Sequence, residues 1–473
     1  MENKKVLLIQ PNYNTQRKTG AWGVNPPIGL AYIAAVLEQN KIKVEILDAN
    51  ASNLSVEEVV DRVKKAAPTI VGVSILTPAH QYCVDIVRRL PDNIITVAGG
   101  NQSTAMPEEL IKQGFKVVVL GEGEYAMLEI AQGRELREIQ GVVYAENGEI
   151  KITPPRPWLD VNALPFPARH LLLGKGVNLP YKSANTQHFP WTGIFTSRGC
   201  PYNCYYCFKK TFGHAVRQRS VENVVAEIVH LKNSYNLKEI DIYDDLFNFD
   251  LDRAEKILDE IIERKLNLFI RCSNGLRVDK ITLRFVEKLK KAGCNYIAFG
   301  IESGDQAVLD KIPKRVTIAQ IKEAVKLTKQ AGITTMGFFI FGLLGDTKAS
   351  MQKTLKLAKE LNLDLASFTI ATPYPGTRLW ETVKQNGKIL FTGWDDYHHS
   401  TGKMMFTHPD TAVSAKEVEA IYRKAYFQFY FRPSFIIKHI SKIRSFTQIK
   451  NMFQGLVGIL KAVKVKQYEN PDN

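Results

Sequence analysis

The run Ser-Arg-Gly-Cys-Pro-Tyr-Asn-Cys-Tyr-Tyr-Cys-Phe at positions 197–208 places three thiols, Cys200, Cys204 and Cys207, within eight residues. It follows an apolar segment with strand character, Thr192 to Thr196, so the thiols stand on a loop at a strand end. Three cysteines on one loop can ligate three corners of a cuboidal 4Fe-4S cluster, which normally takes four cysteine thiolates. One iron would then stay open to a small molecule, which favours chemistry over simple electron storage.

Three other interpretations of the cysteines compete with a cluster. A zinc site needs four tetrahedral ligands, often in paired C-x2-4-C motifs, but the chain has no second C-x2-C and His214 is poorly spaced as a fourth ligand. A disulfide framework is disfavoured because six cysteines in 473 residues are sparse and no secretory signal precedes them. Ordinary burial is the interpretation for Cys83, Cys272 and Cys294. The close spacing of the other three thiols favours the iron-sulfur site.

The spacing C-x3-C-x2-C, with the aromatic Tyr206 directly before the last cysteine, resembles the signature of the radical S-adenosylmethionine (SAM) enzymes. This resemblance implies that the open iron binds the amino and carboxylate groups of SAM. It also implies that an electron from the cluster cleaves SAM and generates a 5'-deoxyadenosyl radical. Tyr206 is expected near the adenine, and Phe208 is expected among the cofactor-binding residues.

Length and composition set the frame for this motif. A chain of 473 residues predicts two or three domains, and a hydrophobic content of 45% is enough to build their cores. The net charge of +15 indicates an anionic partner such as phosphate, nucleic acid or an anionic membrane, or else a solvated lysine-rich surface. No apolar run reaches the roughly 18 residues that span a bilayer. We expect a cytoplasmic protein with reduced thiols.

The first third of the chain alternates strand and helix. The predicted strands are Lys5 to Gln10, Lys43 to Asp48, Ile70 to Ile75, Ile94 to Ala98 and Lys116 to Leu120, and the helices include Ile28 to Gln39 and Val56 to Ala66. This alternation predicts an α/β fold with a parallel, doubly wound, Rossmann-like sheet. Ligands on such sheets lie beyond the carboxyl ends of the strands, where glycines allow close approach.

Those strand ends resemble a cofactor domain. A Rossmann nucleotide site would need G-x-G-x-x-G after the first strand, and that motif is absent. The segment Pro27-Ile-Gly-Leu-Ala-Tyr-Ile-Ala-Ala-Val-Leu, the pair Gly99-Gly100 and the turn Gly121-Glu-Gly-Glu resemble the cobalamin-binding domain that precedes the cysteine motif in one branch of radical SAM enzymes. The cofactor-binding residues that this resemblance implies are Ser74, Gly99, Gly100, Gly121 and Glu122.

One element of other cobalamin proteins is missing. The D-x-H-x-x-G motif, whose histidine ligates cobalt, has no counterpart after the first strand, and many members of the radical SAM branch lack it too. His80 follows the third strand and is a disfavoured candidate for a ligand, since a helix-start or surface role is more common. The alternative for the whole domain is a sheet that binds nothing and only docks.

The next two segments form a linker and a second α/β domain. Seven prolines between positions 154 and 190 predict a linker at residues 141–190, after a first domain at 1–140. Residues 191–386 then repeat six strand-helix units, which favours a partial parallel (β/α)6 barrel with function at its carboxyl-terminal strand ends. The predicted strands are Thr192 to Thr196, Glu239 to Tyr243, Leu268 to Cys272, Tyr296 to Ile301, Thr334 to Phe341 and Leu365 to Ala371.

Polar and glycine residues end these strands. By resemblance to landmarks of the branch, the implied cofactor-binding residues are Asp244, Ser273, Asn274, Gly300 and Glu302. The resemblance implies that Glu302 binds SAM through its ribose or its methionine ammonium. A carboxylate at a buried strand end needs a partner, and an ion pair with Arg271 or another arginine is the alternative.

The C-terminal region, residues 387–473, is aromatic, basic and helical in pattern. The segment from Trp394 to His399 is expected to cap the barrel, with His398 and His399 as proton-transfer candidates that are more commonly just exposed. Ala415 to Phe431 predicts a helix. Ser434 to Lys466 predicts a basic amphipathic tail that packs on the barrel or, less favoured, lies on an anionic membrane, and the last seven residues look disordered.

Together these resemblances imply an enzyme with a 4Fe-4S cluster, SAM and cobalamin as cofactors. It would remove hydrogen from an unactivated carbon and transfer a methyl group from methylcobalamin. Some members of the branch instead cyclise or rearrange lipids, tetrapyrroles or natural products. A non-catalytic iron-sulfur electron-transfer or redox-sensing protein is the alternative of another class.

The expected partners follow from this chemistry. They are a small-molecule substrate, lipid-like or anionic, and an external one-electron reductant such as flavodoxin or ferredoxin. The basic tail could add a peripheral membrane contact. Nucleic acid is disfavoured, because no RNA-binding module accompanies the net charge.

Overall fold

The computed structural model describes residues 4–13, 24–173, 181–182, 186–391, 393–394, 397–399 and 401–440. The strands of the first domain are β1 Lys5–Gln10, β2 Lys43–Asp48, β3 Ile70–Ser74, β4 Ile95–Gly99, β5 Val117–Val119, β6 Val142–Glu146 and β7 Glu149–Ile152. Its helices are α1 Ile28–Gln39, α2 Ala49–Ser52, α3 Val56–Ala66, α4 His80–Val87, α5 Asn101–Ala105, α6 Pro107–Lys112 and α7 Glu124–Gln132.

The first sheet is doubly wound, as its sequence pattern predicts. Its strand order is β2-β1-β3-β4-β5-β6-β7, and the first five strands are parallel. Alternate residues of β1 face opposite cores: Leu7 packs with Val71 on one face, and Val6 packs with Val97 on the other. Helices therefore cover both faces, which brings the carboxyl ends of the parallel strands to one edge.

The sheet extends beyond the predicted domain boundary at residue 140. β6 pairs antiparallel with β5 and turns into β7 through Asn147 and Gly148, whose φ angles are 53° and 80°. Two residues with positive φ suit the tight hairpin turn that joins antiparallel strands. The first domain thus reaches Ile152, and the linker starts later than predicted. The Asn-Gly pair between alternating apolar residues was the available signal.

The barrel carries the remaining strands. They are β8 Trp191–Ile194, β9 Ser197–Arg198, β10 Arg217–Gln218, β11 Glu239–Ile242, β12 Phe269–Leu276, β13 Cys294–Glu302, β14 Thr334–Phe341, β15 Leu365–Ile370, β16 Lys388–Ile389 and β17 Phe406–Thr407. The helices from the linker onward are α8 His170–Leu173, α9 Val221–Tyr235, α10 Leu251–Glu263, α11 Leu283–Lys291, α12 Gln306–Lys311, α13 Ile318–Gln330, α14 Lys348–Glu360, α15 Arg378–Asn386, α16 Ala415–Tyr430 and α17 Pro433–Ile440. Short 3-10 turns occur at Thr77–Ala79, Leu136–Glu138 and Val278–Lys280.

Six parallel strands form the open barrel. Their order, β8-β11-β12-β13-β14-β15, follows the chain, as repeated strand-helix units require. β9 pairs with β10 and β16 pairs with β17 in two small antiparallel sheets. The predicted partial barrel is confirmed, and its carboxyl-terminal strand ends lie on one rim.

Helix α16 protects the free edge of β15. The hydroxyl of Tyr430 donates to Ala366 O at 2.6 Å and accepts from its N–H, and Tyr426 does the same with Phe368. Unpaired backbone groups at a buried edge would otherwise cost free energy. The predicted helix from Ala415 is therefore confirmed, with a structural role.

No helix among the described residues is long and apolar enough to cross a membrane. Most of the predicted basic tail lies outside the described residues, as does the segment from Gln467 to Asn473. Packing of this tail on the barrel or on a membrane stays a prediction.

Candidate functional site

The loop that carries the three cysteines turns sharply at Gly199. Gly199 has a φ of 94°, and a Cβ at this position would lie 2.2 Å from the carbonyl oxygen of Ala215. Glycine is suited to such a close approach in the left-handed region. The N–H of Gly199 donates to Asp245 Oδ2 at 3.1 Å, and the N–H of Cys200 donates to Gly213 O at 3.3 Å. These contacts fold the loop back on itself and fix the backbone of its first thiol.

Two of the thiols line a cavity of about 130 Å³. Cys200 is half-buried and Cys207 is exposed, and the walls also include Phe208 and Asp245 from the barrel. Asn101, which follows β4, lines the same cavity. The cavity therefore lies where the carboxyl edge of the first sheet meets the cysteine loop.

The surroundings of Cys204 and Cys207 favour the protonated thiols. Burial raises the pKa of Cys204, and it raises the pKa of Cys207 to about 12, while the ammonium of Lys209 opposes both shifts. Cys207 is exposed and yet crowded because it faces a cavity rather than open solvent. Since metal ligands are thiolates, assembly of a cluster here releases protons.

The donor set fits a cluster held by three cysteines. Within the described part of the chain, no three Cys, His, Asp or Glu side chains converge on one point where a single metal ion could sit. Cys200 is nevertheless close enough to Cys204 and Cys207 to raise the pKa of both, and Cys204 also raises that of Cys207. Ligands of a cuboidal cluster bind different irons and stand farther apart than ligands of one zinc ion. His214, the disfavoured zinc ligand, is exposed.

Asp244 lies directly behind the loop. Its buried carboxylate accepts hydrogen bonds from the N–H and the hydroxyl of Thr196, both at 2.5 Å, and from the hydroxyl of Ser197 at 2.7 Å. Burial raises the pKa of this carboxyl, and the hydrogen bonds oppose the shift. The side chain thus fixes the segment that leads into the cysteine loop, and a direct contact with a cofactor stays a prediction.

Ser273 and Asn274 are also held by neighbouring strands. The hydroxyl of Ser273 donates to Asp241 Oδ2 at 2.6 Å. The amide of Asn274 donates to the backbone oxygens of Tyr243 and Asp244 at 3.2 and 3.0 Å. Both residues lie at the predicted strand end, and their binding of SAM stays a prediction.

Glu302 adopts an unusual backbone conformation at the end of β13. Its φ is 65°, a left-handed value that is uncommon for a residue with a side chain. Glu302 Oε1 accepts from Lys314 Nζ at 2.6 Å, and the same ammonium donates to Gly300 O at 2.5 Å. A Cβ on Gly300 would lie 2.5 Å from both charged atoms. The charges of Glu302 and Lys314 also reach Cys204, so this pair borders the thiols.

The partner of Glu302 is therefore a lysine and not the arginine considered from the sequence. Arg271 instead binds Thr186 at 2.8 Å and contacts Glu239 at 3.5 Å. Lys314 was missed because it lies in the loop between α12 and α13, where no periodicity or motif marks it. A carboxylate at a buried strand end was the sequence signal that a cation should be near.

The aromatic residues of the motif lie beside these charges. Tyr206 is packed close to Cys204, Cys207 and Glu302, and burial raises the pKa of its hydroxyl. Phe208 lies against the turn at Gly376, where an added Cβ would be 2.8 Å from the ring. Both positions agree with a cofactor pocket at the barrel mouth, and the contacts themselves stay predictions.

The glycine turns of the first domain face the cysteine loop. Asn101 Oδ1 accepts from the hydroxyl of Thr211 at 2.7 Å, directly after the pair Gly99-Gly100. Gly121, with a φ of 73°, would bring a Cβ within 3.6 Å of Thr211 O. Ser74 lies behind Gly100, where a Cβ would be 3.4 Å from its hydroxyl oxygen. The cofactor edge of one domain therefore meets the metal loop of the other.

Two family models match the chain in the same order as these two sites. The B12 binding domain matches residues 21–131, and the radical SAM superfamily matches residues 194–358. An uncharacterized methyltransferase of Pyrococcus horikoshii is 35% identical over 97% of this chain and 99% of its own. The chain belongs to the cobalamin-binding radical SAM enzymes.

Two further comparisons agree with this family. The anaerobic magnesium-protoporphyrin IX monomethyl ester cyclase of Rubrivivax gelatinosus is 28% identical over 98% of this chain and 83% of its own. The radical SAM methyltransferase TsrM of Kitasatospora setae, solved with cobalamin and a 4Fe-4S cluster bound, has a TM-score of 0.70 over 97% of this chain and 99% of its own. At 18% identity the second likeness shows the shared fold.

Within this radical SAM enzyme, the side chain of Glu122 is bound by residues of the cysteine-loop domain. Its Oε1 accepts from Arg198 Nη1 and its Oε2 accepts from Arg217 Nη1, both at 2.8 Å, and Oε2 also faces the N–H of Leu159 at 3.3 Å. The side chain is 3% exposed, and the chain supplies three donors to its two oxygens. Glu122 therefore holds the junction of the two domains, which the sequence does not display, and its binding of a cofactor stays a prediction.

His80 is buried in the cobalamin-binding domain with partners for both ring nitrogens. Its Nε2 lies 2.7 Å from Gln113 Oε1, and its Nδ1 lies 3.3 Å from Gln102 Nε2. The indole of Trp394 packs against this ring and donates to Glu109 Oε1 at 3.3 Å. The aromatic C-terminal segment therefore also contacts the first domain, and His80 serves this contact.

The two adjacent histidines of that segment are half-buried, whereas the exposed state was favoured from the sequence. Burial lowers the pKa of His398 to about 4 and that of His399 to about 3, so both rings are neutral near pH 7. His399 Nδ1 lies 3.1 Å from the hydroxyl of Tyr374, at the end of β15. The rings of Tyr374 and Tyr397 pack edge to face in this part of the rim, and Tyr397 is fully buried.

Proposed function

We propose that this chain is a cobalamin-dependent radical SAM methyltransferase that acts on an unactivated carbon. The observation that carries the proposal is the cavity shared by the two domains. Cys200 and Cys207 lie on its walls together with Asn101, the residue after the glycine pair of the cobalamin-binding domain. Radical generation and methyl donation need such proximity, because the substrate must meet both within one water-poor space.

The residues divide the binding work between them. Cys200, Cys204 and Cys207 would hold the cluster, and Glu302 with Lys314 presents one negative and one positive group to the zwitterionic end of SAM. When bound, the cofactors supply the substrate radical and the methyl group. The chain orients them, since Gly199 and Gly300 allow backbone approaches that a side chain would block. Tyr206 and Phe208 provide apolar cover beside the thiols.

Ring formation is the second candidate. The Rubrivivax gelatinosus relative is named a cyclase and aligns with 98% of this chain, so its fold and site order are compatible with either outcome. The Pyrococcus horikoshii relative is named a methyltransferase and is more similar, at 35% identity. When SAM remakes the methyl donor, methyl transfer yields both S-adenosylhomocysteine and 5'-deoxyadenosine. Cyclisation would yield 5'-deoxyadenosine without S-adenosylhomocysteine.

The partners belong to the same proposal. A cluster that cleaves SAM needs one electron for each cycle, so an external one-electron reductant such as flavodoxin or ferredoxin is required. The net charge of +15 supports an acidic reductant or an anionic small-molecule substrate. A lipid-like substrate would suit the apolar and aromatic barrel rim.

The first test is the replacement of Cys204 by Ala. The protein is purified anaerobically with cobalamin supplied, reconstituted with iron and sulfide, reduced with dithionite and given SAM. We expect 5'-deoxyadenosine from the wild-type protein and a background level from the variant, because the cluster loses one of three ligands. Cys83→Ala is the matched control, since Cys83 is a fully buried thiol of the first domain and lies in its apolar core.

Three results would contradict the proposal at different points. Production of 5'-deoxyadenosine by the Cys204 variant would remove the cluster assignment. A wild-type protein with full cluster occupancy that leaves SAM intact would indicate an electron-transfer or sensing protein. Absence of a corrinoid absorption band at full cluster occupancy would remove methyl transfer and leave the radical chemistry.

A further inference from the structure

A buried ion-pair group joins the two cofactor domains. Arg198 Nη1 binds Glu122 Oε1 and Arg198 Nη2 binds Glu124 Oε1, each at 2.8 Å. The three side chains are 4%, 3% and 5% exposed. Both glutamates belong to the turn after β5 of the cobalamin-binding domain, whereas Arg198 lies two residues before the first cysteine ligand. The contact thus joins the cobalamin-binding domain to the residues that lead into the cysteine loop.

The guanidinium of Arg198 lies close to the cysteine cavity. It stacks 4.9 Å from the ring centre of Tyr32 and 5.1 Å from that of Phe212. Phe212 also lines the cavity with Cys200 and Cys207. One aromatic side chain therefore contacts both the arginine and the space beside the thiols.

The charges in this group balance. Glu122 and Glu124 contribute two negative charges, and Arg198 and Arg217, which shares Glu122, contribute two positive charges. Buried ion pairs add little stability compared with apolar residues of similar size, because desolvation offsets their attraction. Stability alone therefore gives a weak reason for four charged side chains here. Geometry and charge at the neighbouring loop give a stronger one.

We propose that Glu122 and Glu124 are positioning residues of the iron-sulfur cluster, acting through Arg198. This inference rests on the proposed function, because it requires that the three cysteines hold a cluster. The two carboxylates bind the planar guanidinium at its two terminal nitrogens and so fix the position of β9, which leads into the cysteine loop. They also neutralise a positive charge that would otherwise act on the cluster. A turn that resembles a cobalamin-binding motif thereby serves the other cofactor.

The charge balance predicts the direction in which the midpoint potential of the cluster changes when one carboxylate is neutralised. Replacing Glu124 by Gln keeps the size and a hydrogen-bonding group but leaves the group with one excess positive charge. The reduced cluster carries one more negative charge than the oxidised cluster, so a nearby positive charge stabilises the reduced form. The midpoint potential of the cluster is therefore expected to rise, since net charge is one of the factors that set it.

The geometric role predicts a second, separate effect. Arg198→Lys keeps the positive charge but replaces the two-ended fork by a single ammonium, which cannot hold both glutamates in the same way. We expect a midpoint potential near that of the wild-type protein, together with a weaker change of the cluster's EPR spectrum on addition of SAM. That spectral change reports where the open iron stands relative to its ligand pocket.

The experiment compares the wild-type protein with Glu124→Gln, Arg198→Lys and the control Glu129→Gln. Glu129 is on the same helix and is ion-paired with Arg156, away from the cysteine loop. All are reconstituted as full chains with cobalamin, and each is characterised by a redox titration followed by EPR, by SAM-induced EPR change, by corrinoid absorbance and by thermal unfolding. The unfolding curve identifies a variant that has lost its fold and whose cluster data are not comparable.

The expected result is a raised potential in Glu124→Gln, a weakened SAM response in Arg198→Lys, and no change in the control. Corrinoid content should match the wild-type level in all three variants. Loss of corrinoid from Glu124→Gln with an unchanged potential would overturn the inference and return the glutamates to cobalamin binding. Unchanged potentials and SAM responses in every folded variant would also overturn it. Failure of the wild-type protein to form a cluster would instead refute the proposed function.

Discussion

Two carboxylates that the sequence marks as cofactor ligands have different surroundings in the two domains. Glu122, at the junction of the domains, is bound by two arginines and faces a backbone N–H, and it is 3% exposed. Glu302, at the barrel mouth, has one side-chain partner within the described part of the chain, Lys314, and the two side chains are 9% and 15% exposed. The first carboxylate accepts from three fixed donors, two of them arginine side chains. The second keeps acceptor sites available beside a flexible cation.

This difference separates a structural carboxylate from one that can bind a ligand. A ligand can displace a lysine, since its long side chain moves without disturbing the backbone. Two arginine forks in a buried junction cannot be displaced without breaking the junction. Glu302 also tolerates a φ of 65°, which glycine would adopt with less strain. A strained backbone at Glu302, where glycine would fit more easily, indicates that the carboxylate itself is needed there.

The first prediction compares two glycines, one at the start of the cysteine loop and one beside Glu302. Gly199→Ala places a methyl group 2.2 Å from a backbone oxygen at a positive φ, so the loop must move. Strain and overpacking of about 3 kcal/mol would lower the affinity of the loop for the cluster by a hundredfold or so and so reduce the iron content. Gly300→Ala meets only the ends of Glu302 and Lys314, which are flexible.

For Gly300→Ala we expect full iron content with SAM binding weaker by roughly tenfold. Iron and sulfide analysis of the reconstituted proteins measures the first quantity, and titration of the EPR spectrum with SAM measures the second. Equal iron content in Gly199→Ala and the wild-type protein would show that the close approach at Gly199 does not position the thiols.

The next prediction tests the two carboxylates by stability. Glu122→Ala leaves Arg198 and Arg217 without a shared partner in a buried site and should lower the free energy of unfolding by about 3–5 kcal/mol. Glu302→Ala should lower it by about 1 kcal/mol or less, because Lys314 can extend toward water. Urea unfolding of the protein without SAM measures both values. Equal losses would remove the distinction between a filled and an available carboxylate.

SAM affinity should follow the opposite order. Glu302→Ala is expected to abolish the SAM-induced EPR change although the fold is retained. A variant such as Glu302→Gln, which preserves shape, separates the charge from the packing. Full SAM response in Glu302→Gln would mean that a hydrogen bond rather than the charge binds the ligand.

Most of the fold could be predicted because it is encoded locally. The alternation of apolar strands and amphipathic helices fixed both parallel sheets, and the strands of the barrel agree with their predicted positions within a few residues, apart from extensions at the ends of β12 and β13. The hairpin after residue 140 was predictable too, because Asn147-Gly148 has the composition of a tight turn. The predicted domain boundary at residue 140 lies before this hairpin, because it was placed from the proline-rich stretch that begins soon afterwards.

The candidate site was predictable only where its residues are adjacent in sequence. Three thiols within eight residues indicate a common metal site. The pair of Arg198 with Glu122 joins residues 76 positions apart and exists only after the domains dock. Lys314 reaches Glu302 through a loop 12 positions away, where the barrel rather than a helical repeat sets the contact. Charge pairing across a tertiary contact has no local pattern to detect.

A third carboxylate, Asp346, extends the comparison of buried carboxylates to the pH dependence of stability. It accepts from Leu343 N at 3.0 Å and from the Ser350 hydroxyl at 2.5 Å, and burial raises its pKa to about 6. Between its unfolded pKa near 4 and about 6, the folded protein binds more protons at this site than the unfolded chain. Its contribution to stability is therefore present at low pH and is lost as the pH rises through that window, by about 2–3 kcal/mol in total.

The test compares the unfolding free energy of the wild-type protein with that of Asp346→Asn from pH 4 to pH 7. The difference between the two proteins should shift in favour of the variant as the pH rises, because the amide has no charge to bury. A constant difference across the range would mean that Asp346 is ionised in the folded protein throughout. In that case burial without a cation would not separate this carboxylate from the other two.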